Sequence, residues 1–245
     1  MQLEMAALTN KGRVRENNED SLYADVRDRV AIVCDGMGGH AGGHVASELA
    51  VQVMSHALRQ LKPNDWLDED QIVEAMKQAV FGANDHILSR ARIDPELYDM
   101  GTTMVSCAFM ADRVITANVG DSRIYRIVGN AIEQVSNDHS LVAERIRAGL
   151  LDPDSAEASM LANIITRALG MEQVTVDITI EDLQPGDIYL LCSDGLCDML
   201  TDLDLLRMVN EAPNLDAACM TLVDQANENG GIDNITVALI RALPG

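Results

Sequence analysis

The chain has 245 residues, with 18 lysines and arginines against 39 aspartates and glutamates, so its formal net charge at pH 7 is −21. Such a charge disfavours sequence-independent nucleic-acid binding, which takes its affinity from contacts between cations and phosphates. No apolar run approaches the ~20 residues of a membrane-spanning helix, and the N-terminal stretch lacks the basic start and apolar block of an export signal. The five cysteines show no CxxC spacing. We therefore expect a cytoplasmic protein with reduced thiols that binds neither nucleic acid nor a membrane.

Two segments have helical periodicity, and shorter apolar runs indicate strands. The predicted helices cover 44–61 and 69–92, where apolar residues recur every three or four positions. The predicted strands are 29–34, 103–110, 114–119, 123–128, 174–180, 187–192 and 234–240. Most of these strands have no helix between them, which favours an antiparallel α+β architecture over alternating βαβ units. With no linker or low-complexity tract, we expect one domain over 1–245.

Four aspartates share one sequence context, at an end of an apolar run and next to or near glycine. They are Asp35 in AIVCDGMGG, Asp121 in ITANVGDSR, Asp194 in YLLCSDGL and Asp233 in GGIDNITVAL. A carboxylate at a strand end can point into a cleft, and a neighbouring glycine frees the backbone for a tight turn. Any one Asp-Gly pair is commonly just a turn. Four of them favour a cluster around a hard cation such as Mg²⁺, Mn²⁺ or Ca²⁺, because these ions prefer oxygen ligands.

The glycine-rich loop after residue 34 also matches a dinucleotide-binding fingerprint. Gly36-x-Gly38-x-x-Ala41 follows a predicted strand and precedes a predicted helix. A Rossmann unit needs a second strand soon after that helix, and the sequence LKPNDWLDEDQ contains none. An aspartate directly before the first glycine would also lie unfavourably close to a pyrophosphate. This interpretation is therefore disfavoured.

Two further alternatives concern a cysteine and calcium. Cys107 and Arg113 have the C-x₅-R spacing of cysteine-dependent phosphatases, whose thiolate must face a loop of backbone N–H groups. Phe109 and Met110 indicate instead that Cys107 lies on a buried strand. The acidic chain could also bind calcium, but no EF-hand loop with its twelfth-position glutamate occurs.

Eight motifs together resemble those of one known family. They are GRVRENNEDS, VCDGMGGHAGGHVAS, MGTTMV, VGDSRIYR, NDHS, ITRALG, LLCSDGL and GGIDNITVAL, in order from residue 12 to residue 240. This set resembles that of the metal-dependent PPM (type 2C) protein serine/threonine phosphatases, in particular the compact bacterial ones. The resemblance implies a four-layer α-β-β-α sandwich, in which two antiparallel sheets are flanked by helix pairs and a metal centre lies at one end.

The resemblance also assigns roles to individual residues. It implies that Asp35 bridges two Mn²⁺ or Mg²⁺ ions, with the Gly36 carbonyl on one ion and Asp194 and Asp233 on the other. A third, weaker ion is implied at Asp121 and Asp194. Arg15 matches the arginine that contacts the substrate phosphate. Asp20, with Glu19 as a second candidate beside it, matches the residues that hold metal-bound waters.

The implied reaction is the attack of a metal-activated hydroxide on phosphorus, in line with the leaving group and without a covalent enzyme intermediate. Some family members carry a histidine directly after the Asp-Gly pair, where this chain has Met37. His40 is a candidate for a related proton-transfer role, and a plain loop histidine is an equally good interpretation. His139, in NDHS, is more consistent with a structural hydrogen-bonding role.

The segment 141–165 matches the variable flap of bacterial members and suggests a mobile helical lid, from which Met160 or a neighbour contacts substrate. The resemblance implies phosphorylated proteins as partners, as targets of a Hanks-type kinase, and we expect a monomer. A second function remains open: a regulatory or partner-switching binding module on the same fold with little activity. All the matched metal-site aspartates are present, which favours an active enzyme.

Overall fold

Two five-stranded antiparallel sheets form the centre of the molecule in the computed structural model, which describes residues 1–39, 42–161 and 164–245. The first sheet contains, in spatial order, Gln2–Asn10 (β1), Ile235–Leu243 (β12), Ile188–Cys192 (β11), Arg123–Val128 (β8) and Ala131–Gln134 (β9). The second contains Asp177–Asp182 (β10), Arg113–Val119 (β7), Met104–Phe109 (β6), Val30–Cys34 (β3) and Ser21–Asp25 (β2). Gly36–Met37 (β4) and Gly101–Thr102 (β5) pair beside them.

Helices cover the outer face of each sheet. The described helices are Gly42–Arg59 (α1), Glu69–Ile93 (α2), Leu141–Arg147 (α3), Ala156–Leu161 (α4), Asp194–Cys197 (α5), Asp202–Glu211 (α6) and Leu215–Glu228 (α7). The pair α1 and α2 packs on the second sheet, and α6 and α7 pack on the first. The expected α-β-β-α sandwich is thus confirmed. None of the described helices is both long and apolar enough to cross a membrane.

The alternation of strand side chains divides the core into three layers. Ile32 of β3 faces α1 and α2, whereas its neighbour Val33 faces the other sheet, because successive side chains of a strand point to opposite faces. Between the sheets, the Phe109 and Tyr189 rings meet edge to face with their centroids 5.7 Å apart. Each sheet is therefore buried on both faces over its central strands.

The predicted elements agree with the structure within a few residues, and several elements were missed. The two predicted helices correspond to α1 and α2, and the predicted strand 174–180 begins later, at Asp177. The hydrophobic periodicity did not predict the strands β1, β2 and β9 or the helices α6 and α7. In α6 a sequence signal was available, because Thr201 and Asp204 form a reciprocal capping box at its start.

Strand direction brings all four predicted aspartates to one end of the sandwich. The strands β3, β7 and β11 finish at that end, so Asp35, Asp121 and Asp194 follow shortly after them. The strand β12 runs antiparallel to β11 and begins there, so Asp233 precedes it. The backbone therefore positions the carboxylates that the sequence pattern singled out.

Candidate metal centre

A polar cleft of about 370 Å³ opens at this end of the sandwich. It is lined by Arg15, Glu19, Asp35, Gly36, Met37, Gly38, Ile165, Asp194, Asp198, Ile232, Asp233 and Asn234. Five of the predicted site residues, Arg15, Asp35, Gly36, Asp194 and Asp233, thus meet in one cavity. Asp20 and Asp121 do not line it and lie just beneath it, next to the lining carboxylates. His40 lies outside the described residues.

The backbone of Asp35 is held on both sides by Thr102, the last residue of β5, and by Thr103, which follows it. Its N–H donates to Thr103 Oγ1 at 3.0 Å, and its carbonyl accepts from the Thr103 N–H at 2.9 Å and from Thr102 Oγ1 at 2.8 Å. The Thr103 hydroxyl is hydrogen-bonded in turn to the Ser122 hydroxyl at 2.7 Å. These contacts fix the aspartate at the end of β3 and link it to the loop that carries Asp121.

Gly36 lies where no side chain fits. A Cβ atom there would stand 2.1 Å from the Gly43 carbonyl oxygen and 2.5 Å from the Glu19 carbonyl oxygen. The glycines of this loop therefore let the first turn of α1 pack closely against the aspartate. The next long element after α1 is α2 rather than a strand, which excludes the dinucleotide-binding alternative.

Burial and mutual repulsion raise the pKa values of the clustered carboxyls. Burial is the main cause for Asp35, whose pKa lies well above its usual range, and repulsion from Asp20 and Asp194 adds to it. Burial and then Asp198 raise the pKa of Asp194 to about 6. Burial and then Asp194 raise the pKa of Asp121 to about 7. Ionised together, these groups need a cation between them.

Asp20 lies deeper still, and burial raises its pKa to about 7. Ser193 Oγ donates to its Oδ2 at 2.8 Å, but its Oδ1 has no hydrogen-bond partner among the described residues. The same is true of Asp194 Oδ1. Buried carboxylate oxygens without donors are costly unless a cation or water satisfies them. These oxygens fit divalent metal ions with oxygen ligands.

The carboxylates line a cleft and do not form a closed cage. Across the described ranges, no three acidic, histidine or cysteine side chains converge tightly enough to enclose one ion. Such an open arrangement suits hard cations that retain several water ligands, as Mg²⁺ commonly does. The donor set therefore fits hydrated Mn²⁺ or Mg²⁺ better than a fully protein-coordinated ion.

Arg15 contributes the cationic side chain of the cleft lining. Its Nη2 lies 2.6 Å from Asp233 Oδ2, and more than half of its side chain is exposed. An exposed guanidinium on a loop can exchange a carboxylate for a phosphate, since both accept the same fork of N–H donors. Its predicted contact with substrate phosphate stays a prediction.

Several residues around the site escaped the sequence analysis. Asn234 donates from Nδ2 to the Lys11 and Asn17 carbonyls, both at 2.9 Å, and its Oδ1 accepts from the Glu19 N–H at 2.8 Å. It thereby shapes the loop that carries Arg15. Asp198 lines the cleft four residues after Asp194. The sequence does mark Asn234 in one way, because it directly follows Asp233 in the motif GGIDNITVAL.

His139 supports the site from behind. Its buried Nδ1 accepts from the Gly120 N–H at 3.1 Å, which leaves the proton on Nε2, 3.1 Å from Asp177 Oδ2. Burial is the main cause that lowers its pKa. These contacts tie the loop before Asp121 to β10, a structural arrangement of the kind predicted for this histidine.

Cys107 is completely buried between the sheets, far from any phosphate-binding loop. Burial raises the pKa of its thiol well above the usual range, so it carries no thiolate near neutral pH. Arg113, its C-x₅-R partner in sequence, pairs instead with Glu69 and Asp182. The cysteine-dependent alternative is therefore excluded.

The segment predicted as a flap contains α3 and α4. Its base is tied to the sandwich, because the Leu141 N–H donates to the Ile164 carbonyl and the Thr166 N–H to the His139 carbonyl, both at 2.8 Å. An ion pair of 2.8 Å joins Arg145 to Glu157 across the two helices. Met160 is 82% exposed, and Ile165 reaches the cleft lining.

Comparison with known proteins identifies the class. The sequence profile described as "Protein phosphatase 2C" matches residues 10–226. The serine/threonine phosphatase stp of Listeria welshimeri is 36% identical over 236 residues, which cover 95% of this chain and 93% of that protein. A crystal structure of the Mycobacterium tuberculosis serine/threonine phosphatase PstP superposes with a TM-score of 0.90 at 33% identity, covering all of both chains.

A second PstP structure, of the catalytic domain in complex with two manganese ions, superposes with a TM-score of 0.86 at 33% identity and covers 99% of both chains. The chain thus belongs to the protein phosphatase 2C family. It is an enzyme of the serine/threonine protein phosphatase class, and a divalent metal cofactor is supported, as the motif resemblance implied.

Proposed function

We propose that this protein removes phosphate from phosphoserine and phosphothreonine in proteins with the help of Mn²⁺ or Mg²⁺. The observation that carries the proposal is a cluster of buried and half-buried carboxylates in and directly beneath one cleft that also holds an exposed arginine. Asp20 and Asp194 each have one oxygen without a hydrogen-bond partner among the described residues. Asp35, Gly36, Asp194 and Asp233 would hold two ions, and Asp121 with Asp194 a weaker third. When bound, such ions supply a water activated for in-line attack and neutralise charge on the phosphoryl oxygens.

The side chains of the protein have separate tasks in this reaction. Arg15 binds and orients the phosphate through its forked donors. Asp20, buried under the cleft with one free oxygen, orients water in the site. The Thr102–Thr103 hydrogen bonds keep Asp35 from moving as charge develops, which preserves the preorganisation that electrostatic catalysis needs.

The remaining assignments are also proposals. We propose one catalytic domain over 1–245 with a flap at 141–165, a monomer that works in the cytoplasm on targets of a Hanks-type kinase, and a proton-transfer role for His40. The alternative, a binding module of low activity, is disfavoured because none of the matched aspartates has been replaced.

The decisive experiment measures hydrolysis of p-nitrophenyl phosphate and of a phosphothreonine peptide in Mn²⁺, with EDTA as the metal-free control. We expect activity in Mn²⁺, none in EDTA, and a loss of at least about a hundredfold in Asp35→Asn, because even outer-sphere changes at metal sites cost 10–100-fold. Wild-type inactivity in Mn²⁺, or full activity of Asp35→Asn, would refute the enzyme proposal. A small-molecule phosphatase would show no preference for the peptide.

A further inference from the structure

In the part of the chain that the structure describes, three apolar side chains line the otherwise polar cleft. They are Met37, Ile165 and Ile232, which we call the apolar rim. Ile232 is 53% exposed, and Ile164, next to Ile165, is 45% exposed. Large apolar side chains left in water beside a reaction cleft are candidates for contact with a ligand.

The rim is held in place on both sides. On one side, Ile232 follows Gly231, whose carbonyl accepts from the Arg13 N–H at 2.7 Å, while Arg13 Nε donates to the Asn227 carbonyl at 3.1 Å. This joins the Ile232 loop to the loop that carries Arg15. On the other side, Ile165 pairs with Ser140 at the base of the flap. The apolar rim therefore lies beside the proposed phosphate-binding groups, on loops that backbone hydrogen bonds hold in place.

The charges of the cleft lining restrict what can lie there. Among the described residues of the lining, the ionisable ones other than Arg15 are acidic: Glu19, Asp35, Asp194, Asp198 and Asp233. Arg15 and bound cations can neutralise a phosphate, but they leave little positive charge for acidic neighbours of that phosphate. A polypeptide whose residues beside the phosphate are apolar would bury the rim without this repulsion.

We infer that this enzyme favours phosphoproteins in which an apolar residue directly flanks the phosphoserine or phosphothreonine. This inference rests on the proposed function and adds a substrate class to it. The partner is an extended phosphorylated segment whose phosphate enters the cleft and whose neighbouring side chain covers Ile232 or Ile165. Since the rim is partly open, we expect the low end of the discrimination known for apolar subsites, about tenfold.

The test compares phosphothreonine peptides that differ only at the two flanking positions, as Leu, Ser or Asp. With Mn²⁺ present, wild-type kcat/KM should be about tenfold higher for Leu flanks than for Ser flanks and lowest for Asp flanks. In Ile232→Ser and Ile165→Ser the ratio of kcat/KM between Leu-flanked and Ser-flanked peptides should fall towards one. The conservative variant Ile232→Val should keep the wild-type ratio. Leu203→Ser on α6, a more exposed apolar position outside the cleft, should keep the ratio.

Binding gives a second readout that needs no turnover. Fluorescence anisotropy with phosphonate analogues of the same peptides should show the same order of affinities. Two results would overturn the inference while leaving the proposed function intact. One is an enzyme that hydrolyses p-nitrophenyl phosphate but has the same kcat/KM for the peptides with Leu, Ser and Asp flanks. The other is a Leu-to-Ser ratio of kcat/KM that is unchanged in both serine variants. If the wild type hydrolyses nothing, the proposed function fails, and the anisotropy order alone decides whether the rim selects apolar flanks.

Discussion

The two ends of the sandwich treat their acidic residues in opposite ways. At the end away from the cleft, carboxylates are neutralised by arginine: Asp187, almost fully buried, lies 2.7 Å from Arg126, and Asp25 lies 2.5 Å from Arg27. At the cleft end, Asp20 is buried and Asp35, Asp121 and Asp194 are half-buried beside it, none paired with an arginine within the described ranges. Desolvation is the main cause that raises each pKa. Repulsion left uncompensated in a stable fold indicates a site built for a cation that comes from outside the chain.

The largest expected effect is seen when an aspartate at each end is replaced by asparagine and the losses of kcat and of stability are compared. Asp194→Asn should lower kcat by at least about a hundredfold while leaving metal-free stability unchanged or raising it by on the order of 1 kcal/mol, because a repelled charge is removed. Asp187→Asn should do the reverse, lowering the free energy of unfolding by about 3 kcal/mol at near-normal kcat. Urea unfolding in EDTA and p-nitrophenyl phosphate assays measure both.

If both variants lost stability equally, or both lost kcat equally, the contrast between the ends would be wrong. Removing one partner of a buried ion pair strands the other charge, so Asp187→Asn leaves Arg126 without a carboxylate. Asp194→Asn removes a carboxylate that its neighbours repel, so it leaves no charge without a partner. The two substitutions are chemically identical, and each therefore serves as the control for the other.

The second effect is a pH dependence of the metal-free protein. Aspartates titrate near 3.8 when unfolded, whereas Asp194 has a pKa of about 6 and Asp20 and Asp121 of about 7 when folded. The folded state therefore binds more protons in this window, and its stability is highest at the acid side and lost as the pH rises through 6 to 7. Thermal unfolding in EDTA should give a higher Tm at pH 5.5 than at pH 8, and the free energy of unfolding should differ between them by on the order of 2 kcal/mol.

Two controls sharpen this measurement. Asp121→Asn should reduce the difference in Tm between the two pH values, since one of the titrating groups is gone. Saturating Mn²⁺ should reverse the order, because metal binding requires ionised carboxylates and is therefore stronger at pH 8. A Tm in EDTA that rose steadily from pH 5.5 to pH 8 would contradict the buried, repelled cluster.

The smallest expected effect lies at the far end. Arg27, whose side chain is 85% exposed, pairs with Asp25 two residues earlier, and solvent around the guanidinium screens the attraction. Arg27→Ala should therefore change neither the urea midpoint nor kcat beyond the error of measurement. A clear loss of stability would mean that the arginines of this end matter through more than local neutralisation.

The sequence predicted the carboxylate cluster because strand ends and Asp-Gly pairs are local features, and sheet register then places them together. Asp35, Asp194 and Asp233 were found in this way. Asn234 was missed as a site-shaping residue, because its importance comes from hydrogen bonds to residues more than 200 positions earlier in the chain, such as the one to the Lys11 carbonyl. Ile232 was missed because its place in the cleft lining depends on the tertiary fold. No local pattern marks such pairings.

The limits on secondary structure have a similar origin. The helices α1 and α2 are long and their apolar faces are regular, so periodicity located them within two or three residues. The edge strand β9 has only four residues and is half exposed, so its pattern is weak. The family resemblance, rather than the periodicity, supplied the second helix pair.

The position of β12 has a consequence for when the enzyme becomes competent during synthesis. This strand is translated after the other described strands of both sheets, yet it lies between β1 and β11, and it begins two residues after Asp233. Until it emerges from the ribosome, β1 has no neighbour in its sheet, and no strand holds Asp233 in the cleft. A chain without β12 therefore exposes an unfinished sheet edge and has an incomplete site, so phosphatase activity should appear only when β12 inserts and closes the first sheet.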